Sequence, residues 1–321
     1  MPERVFITGA LGFIAQRLAE RYRSLGAEVR GMDLRADPAQ DVVAGDISQS
    51  GEWQDHAEGC DLFIHTAAIV SGTSDEERVF RVNLLGTRHA LDAAARAGAK
   101  RFLHFSSVTV FSPWFPDGVD ESYPIRASGM PYADSKVAGE GLVFGAHARG
   151  EVPCALVRPG DVYGPGQGFW TVGVLELLRK RRFILPARGR GIHSPIFIDN
   201  LIDGVVRAGE ADEAEGEAFT LTDGRGVETR EFFSHHHRWL GKPGPRSGPT
   251  LPLRMLAETT DRVARRLGID NDVTGPAIDY QTRTGTYSIE KARSLLGYEP
   301  QIGLEEGMAQ TEAWLRSEGH L

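Results

Sequence analysis

The stretch VFITGALGFIAQRLAE, Val5 to Glu20, constrains this chain more than any other. Val5, Phe6 and Ile7 form a short apolar run of strand type, and Phe13, Ile14, Leu18 and Tyr22 then recur at helical spacing. Between the two stand Gly9, Leu11 and Gly12, with Ala15 one turn further on. A strand that turns tightly into a helix aims free backbone N–H groups at whatever occupies the helix N-terminus, and that position suits a phosphate. Glycine turns of this kind also occur in α/β proteins that bind no nucleotide, so the rest of the chain must decide.

Downstream, strand and helix patterns alternate. Strands are predicted at 4–8, 28–32, 42–44, 62–65, 101–106 and 155–158, with helical patterns between them. The longest helical pattern runs from Glu76 to Ala97. Strands separated by helices imply βαβ units and a parallel sheet covered on both faces. After Gly164 the order changes, through a glycine-proline break, a helix at 171–181, one more strand-helix unit and a strand at Ala218. The 321 residues therefore read as an α/β protein, a Rossmann-type doubly wound parallel sheet with a smaller C-terminal lobe. Residues 1–165 form the expected dinucleotide-binding domain, with 192–223 returning to it; 166–191 and 224–321 form the expected substrate lobe.

An excess of 44 acidic over 36 basic residues, net charge −8, argues against a nucleic-acid partner. No apolar run reaches membrane-spanning length, so no membrane partner is expected. The start MPERVF enters a strand without a signal-like apolar core, and a cytoplasmic location is expected. Cys60 and Cys154, the two cysteines, read as small buried residues. His235, His236 and His237 are consecutive and point apart on a helix, so no metal is expected there.

The chemistry concentrates in three places. Asp33 closes the second strand about 24 residues after Gly9, where a carboxylate can accept hydrogen bonds from ribose hydroxyls. It favours NAD, while the neighbouring Arg35, beyond Leu34, leaves NADP possible. Asp46 and Ile47 end the third strand, where a carboxylate and an apolar side chain can flank an adenine. Tyr132 and Lys136 stand four apart on one predicted helix and share a face. An ammonium beside a phenol favours phenolate, so the lysine is expected to lower the tyrosine pKa and make it a usable acid or base. Upstream, Ser106 and Ser107 end a strand.

Taken together these motifs resemble the extended short-chain dehydrogenase/reductases. TGALGFIA at Thr8–Ala15 is similar to that family's glycine turn, and HTAA at His65–Ala68 to the segment lining its cofactor. NLLGTRHALDAA from Asn83, SSVTVF from Ser106 and YADSK from Tyr132 match the family's fourth helix, catalytic strand and catalytic helix. LVRPGDVYGPG from Leu156 and EKARSLLGYEP from Glu290 match further stretches of extended members. The resemblance implies that Ser107 orients a substrate oxygen, Tyr132 is the acid/base, Lys136 tunes it and holds the nicotinamide ribose, and Asn83 positions the lysine or a water. It implies a cofactor, NAD or NADP, held by Gly9, Leu11, Gly12, Phe13, Ile14, Asp33, Leu34, Arg35, Asp46, Ile47, Thr66, Ala67, Ala68, Tyr132, Lys136, Pro159, Gly160 and Val162.

Departures from the family narrow the activity. No acidic residue follows Ser107, which speaks against dehydration. His193 stands where nucleotide-sugar epimerases usually carry an arginine, and Asp161 where they carry asparagine, so an anionic sugar nucleotide would meet Asp161 unfavourably. The stretches 194–205 and 240–268 resemble the 3β-hydroxysteroid dehydrogenase-like branch, which implies a bulky or apolar small-molecule substrate. Val70, Val108, Thr109, Asp161 and His193 are expected against it, and Trp114, Phe115, Phe169 and Trp170 either line its pocket or pack in the core. The expected activity is alcohol–ketone interconversion; the alternatives are an NAD-retaining epimerase and a non-enzymatic nucleotide-binding protein. Small residues on the helices of Asn83 and Tyr132 suit a homodimer.

Overall fold

In the computed structural model, residues 1–70, 75–267, 271 and 273–321 are described; Gly268, which ends the stretch 240–268, lies outside them. Each strand expected in the first half is present to within a residue or so. They are β1 (Arg4–Thr8), β2 (Glu28–Asp33), β3 (Val42–Ala44), β4 (Leu62–His65), β5 (Arg101–Phe105) and β6 (Cys154–Pro159). With a later strand, β8 (Ala218–Leu221), they form one sheet in the order β8-β6-β5-β4-β1-β2-β3. Every pairing in it is parallel. That order reverses between β1 and β4, and the crevice beyond the carboxyl ends of those strands is where such sheets bind ligands.

Alternation along each strand divides the apolar side chains between two cores. Val5 and Ile7 of β1 and Leu103 and Phe105 of β5 face one of them. Phe6 and Phe102 face the other, packed against α3 (Gly86–Ala97) and α4 (Pro131–Ala148). On the first side, Leu18, Ala19 and Tyr22 of α1 (Phe13–Ser24) and Leu201 and Val205 of α6 (Ile198–Glu210) close the layer. A third, smaller cluster gathers Val108, Val110, Phe111, Phe115, Val119 and Tyr287.

The helix predicted over 76–97 is not regular. It runs as α2 (Glu76–Phe80), a wide π turn over Arg81–Leu85, and then α3. Periodicity alone does not reveal such a turn, because the apolar face continues across it. Its effect is to bury Asn83. A second π turn at Gly168–Gly173 precedes α5 (Val174–Arg179) where one plain helix was expected. Among the described residues no helix is long and apolar enough to cross a membrane.

Beneath α4 lies a sealed ion pair. Arg158 of β6 donates from Nε to Glu140 Oε1 (2.8 Å) and from Nη2 to Oε2 (2.6 Å). Both side chains are almost wholly buried. Ser106 Oγ donates to the same carboxylate (2.6 Å). Removing one partner of such a pair leaves an uncompensated buried charge. Glu140→Ala is therefore expected to lower unfolding free energy by about 3–5 kcal/mol, read from urea melts; a loss under 1 kcal/mol would contradict this account of the α4–sheet junction.

Candidate active site

The turn after β1 has the conformation and clearance a dinucleotide needs. Gly9 has φ +69°, and a Cβ there would come within 2.9 Å of Ala67 Cα. No side chain caps the N-terminus of α1, so its first-turn N–H groups stay open to an anion. Asp33 Oδ2 accepts the Leu11 N–H (3.0 Å) and Oδ1 the Leu34 N–H (2.7 Å). The carboxylate thus braces the turn with lone pairs to spare for a ribose. Leu34 and Arg35 are exposed beside it. Thr66 Oγ1 donates to Thr8 O (2.6 Å), which holds Thr66, Ala67 and Ala68 along the crevice next to Gly9. Phe13 lies under Gly166 and Ile14 packs into the core. These residues fit the two phosphates and a ribose of NAD. One expectation changes: Ile47 is packed beneath Gly86, so only the exposed Asp46 keeps a free side of that strand end.

At the end of β5 the two serines diverge. Ser106 turns down to Glu140, while Ser107 Oγ accepts the Thr109 N–H (3.2 Å) and its hydroxyl lies close enough to the Tyr132 phenol to lower its pKa. Tyr132 stands in the first turn of α4, and Lys136 lies one turn on with Nζ 5.8 Å from the Tyr132 ring centroid. The ammonium donates to Phe105 O (2.6 Å). Burial lowers the Lys136 pKa to about 8, opposed by the Glu140 charge. Burial also pushes Tyr132 up to about 12, with the nearby Ser107 hydroxyl acting the other way. The expected lowering of the phenol by the lysine is therefore corrected: with the ammonium tied to a carbonyl, desolvation of the phenolate dominates. Asn83 also differs from expectation. Its Oδ1 accepts Ile69 N–H (2.8 Å), and its Nδ2 donates to Ile69 O (3.0 Å) and Ser135 Oγ (2.9 Å). It clamps a crevice loop to α4 and does not bond the lysine.

Beneath the pair lie residues that sequence reasoning did not single out. His65 and His104 stack 5.5 Å apart. Burial and the Lys136 charge hold both well below the usual histidine range, so both are neutral. Glu140 was readable, since it follows Lys136 by one helical turn. His104 carried no such signal.

Pro159 ends β6 and Gly160 follows it, pressed so close to Ser194 O that a Cβ would stand 2.4 Å away. Val162 lies on β7 (Asp161–Tyr163), half-buried against the core. Two cavities border the Pro113–Pro116 loop. One, of about 360 Å³, is lined by Pro113, Trp114, Phe115, Pro116, Tyr123, Thr282, Arg283 and Thr284. The other, of about 230 Å³, shares Pro113 and Trp114 and reaches Met130, Pro276 and Asp279.

Several residues expected against substrate are placed elsewhere. Val108 sits in the small core cluster. His193 is 1% exposed, enclosed by Phe232 at 4.1 Å and Trp170 at 5.1 Å between ring centroids. Asp161 is 3% exposed and bonded to Arg283, Tyr280 and the Ser194 N–H. Neither His193 nor Asp161 lines the cavities. Their apolar and ionic neighbours come from distant sequence, which local patterns do not show. Val70 is exposed, and Thr109 Oγ1 is buried with no partner among the described residues. Trp114 and Phe115 reach the larger cavity, whereas Phe169 and Trp170 pack on one another outside both. His236 Nε2 meets Trp170 O and His237 Nδ1 meets Pro243 O, each at 2.8 Å, so the histidine run serves packing.

Comparison with known proteins agrees with this geometry. The model of the NAD dependent epimerase/dehydratase family matches residues 5–221. A 4-hydroxy-2-methyl-3-oxo-4-farnesyl-3,4-dihydroquinoline-1-oxide ketoreductase of Stigmatella aurantiaca is 28% identical, over 95% of this chain and 94% of its own. A 3 beta-hydroxysteroid dehydrogenase/Delta 5→4-isomerase of Mycobacterium tuberculosis is 29% identical, over 96% and 89%. Among solved structures, MoeE5 in complex with UDP-glucose and NAD superposes with a TM-score of 0.80 at 22% identity, over 98% of this chain and 99% of that one. That likeness shows the fold.

The environment of Lys136 can be tested without any ligand. Its folded pKa, about 8, lies below the ordinary lysine value of 10.5, so between those values the unfolded chain binds more protons and stability rises with pH. Relative to Lys136→Met, wild-type stability is expected to climb between pH 8 and 10. A flat difference in melts over that range would contradict the burial of the ammonium.

Proposed function

The chain belongs to the NAD dependent epimerase/dehydratase family, and from that premise we propose that it is an oxidoreductase interconverting a secondary alcohol and a ketone on a bulky, apolar substrate. The carrying observation is the line Ser107–Tyr132–Lys136 at the carboxyl end of β5, beside the switch point of the sheet. NAD is the family's cofactor, and when bound it supplies or accepts the hydride at the nicotinamide ring. The protein's part is the proton. In reduction, the carbonyl carbon gains the hydride, and the carbonyl oxygen, held by Ser107, takes the proton of Tyr132. In oxidation, the phenolate removes the hydroxyl proton as the hydride leaves. Below its own pKa of about 8, Lys136, fixed on Phe105 O, places a positive charge near the phenolate as it forms.

A bulky substrate is supported by the Pro113–Pro116 loop, whose Trp114 is 61% exposed and lines both cavities. The substrate lobe expected of 166–191 and 224–321 contributes Pro276, Asp279 and Thr282–Thr284 to their walls. The alternative is an epimerase that keeps its NAD and returns the hydride to the same sugar. It is disfavoured because Arg283, a cation in the cavity wall, already has its charge matched by Asp161. A cytoplasmic homodimer, joined through the helices of Asn83 and Tyr132, completes the reading.

Tyr132→Phe is expected to cut turnover at least about 100-fold while NAD affinity, read by fluorescence titration, stays nearly unchanged; full activity in that variant would refute the proton role. Because burial holds the phenol high, it is protonated at neutral pH and ready to donate. Alcohol oxidation should therefore rise about tenfold per pH unit on the acid side of the phenol pKa, while ketone reduction stays flat there. Oxidation that falls as pH rises from 7 to 9 would contradict it.

A further inference from the structure

The network around Asp161 takes no part in the proton chemistry. Its Oδ2 accepts from Arg283 Nη2 and from the Ser194 N–H (3.0 Å), with His193 Nδ1 3.3 Å away. Its Oδ1 accepts from the Tyr280 hydroxyl (2.8 Å). Arg283 is 1% exposed, donates from Nε to Ile192 O (2.9 Å), and lies 3.8 Å over the Tyr280 ring. Its Nη1 is buried and has no hydrogen-bond partner among the described residues. The same arginine, with Thr282 and Thr284, lines the cavity of about 360 Å³ opposite Trp114 and Phe115. A guanidinium thus stands in the wall of a space otherwise lined by aromatic, proline and threonine residues, with a carboxylate already pressed against it. A buried donor without a partner favours a ligand oxygen that completes it. A second anion brought to this site would have to share the cation with Asp161 in a poorly solvated place, where like charges repel strongly.

On the premise of the ketone–alcohol reading above, we propose that the Asp161–Arg283 pair is a specificity determinant. It leaves the Arg283 guanidinium charge-compensated beside the cavity, so the cavity takes a neutral, bulky molecule bearing a carbonyl or hydroxyl oxygen and turns away the diphosphate of a nucleotide sugar. Asp161→Asn keeps the volume and an acceptor for Tyr280 or Ser194 but removes the charge. The guanidinium is then uncompensated and becomes an anion site.

The test is calorimetric and needs no turnover, so it stands apart from any failure of the hydride-transfer reading. Uridine diphosphate is titrated into the wild type, Asp161→Asn, and the double variant Asp161→Asn/Arg283→Met, each checked for folding by circular dichroism. Charge-assisted hydrogen bonds predict a gain of at least about tenfold for Asp161→Asn over the wild type, weakened by salt and lost in the double variant. Tight binding by the wild type, or no gain in a folded Asp161→Asn, overturns the proposal. Should that variant not fold, the wild type is titrated with an aromatic ketone and its carboxylate-bearing analogue. The neutral ketone is expected to bind at least about tenfold more tightly; equal affinity, or a preference for the carboxylate, overturns it equally.

Discussion

The site depends on one contact, the hydrogen bond from Lys136 Nζ to the carbonyl of Phe105. It fixes α4 against the end of β5, and with it the phase of the helix. Once that phase is set, Tyr132 meets Ser107, Ser135 meets Asn83, and Glu140 meets Arg158 and Ser106. A buried ammonium is costly to hold unless its hydrogen bonds and a nearby opposite charge offset the loss of water. The Phe105 carbonyl supplies the first, and Glu140, one turn along, the second. Glu140 is itself shared with Arg158, so the charges below α4 form one connected set.

Around that set the proposed tasks fall on separate elements. In the proposed reading, the turn after β1 and the carboxylate of Asp33 serve the dinucleotide, and the end of β5 and the start of α4 serve the proton. The stretch after β6 carries Asp161, which instead bonds Arg283 and Tyr280 from far along the chain. The neutral stacked histidines beneath α4 add no charge near Lys136, so the lysine is the one cation close to the phenol among the buried groups described there.

How much of this was legible depended on whether a signal was local. The βαβ alternation was readable because parallel strands buried on both faces are nearly continuous apolar runs, as in Val5–Thr8 and Leu62–His65. The glycine turn and the Tyr132/Lys136 spacing were readable because each is a short-range constraint. The π turn holding Asn83 was not, since it changes the backbone without interrupting the apolar face. The direction of the Tyr132 pKa was misjudged, because spacing places the ammonium nearby but says nothing of how deeply both groups are buried. Asp161 and His193 were singled out as substrate contacts. Their true neighbours, Arg283, Tyr280 and Phe232, lie far along the chain and meet them only through tertiary packing.

The central claim, net hydride transfer to a bulky neutral ketone coupled to a proton from Tyr132, is tested most directly by isotope. The protein is mixed with NADH carrying deuterium at nicotinamide C4 and with a hydrophobic ketone, and the products are read by mass spectrometry. The account predicts an alcohol with one deuterium on its carbinol carbon and an equal amount of NAD released to solution. Failure of any ketone to take up the label, together with stoichiometric NAD that leaves the protein only on denaturation, would contradict it and favour a retained-cofactor epimerase.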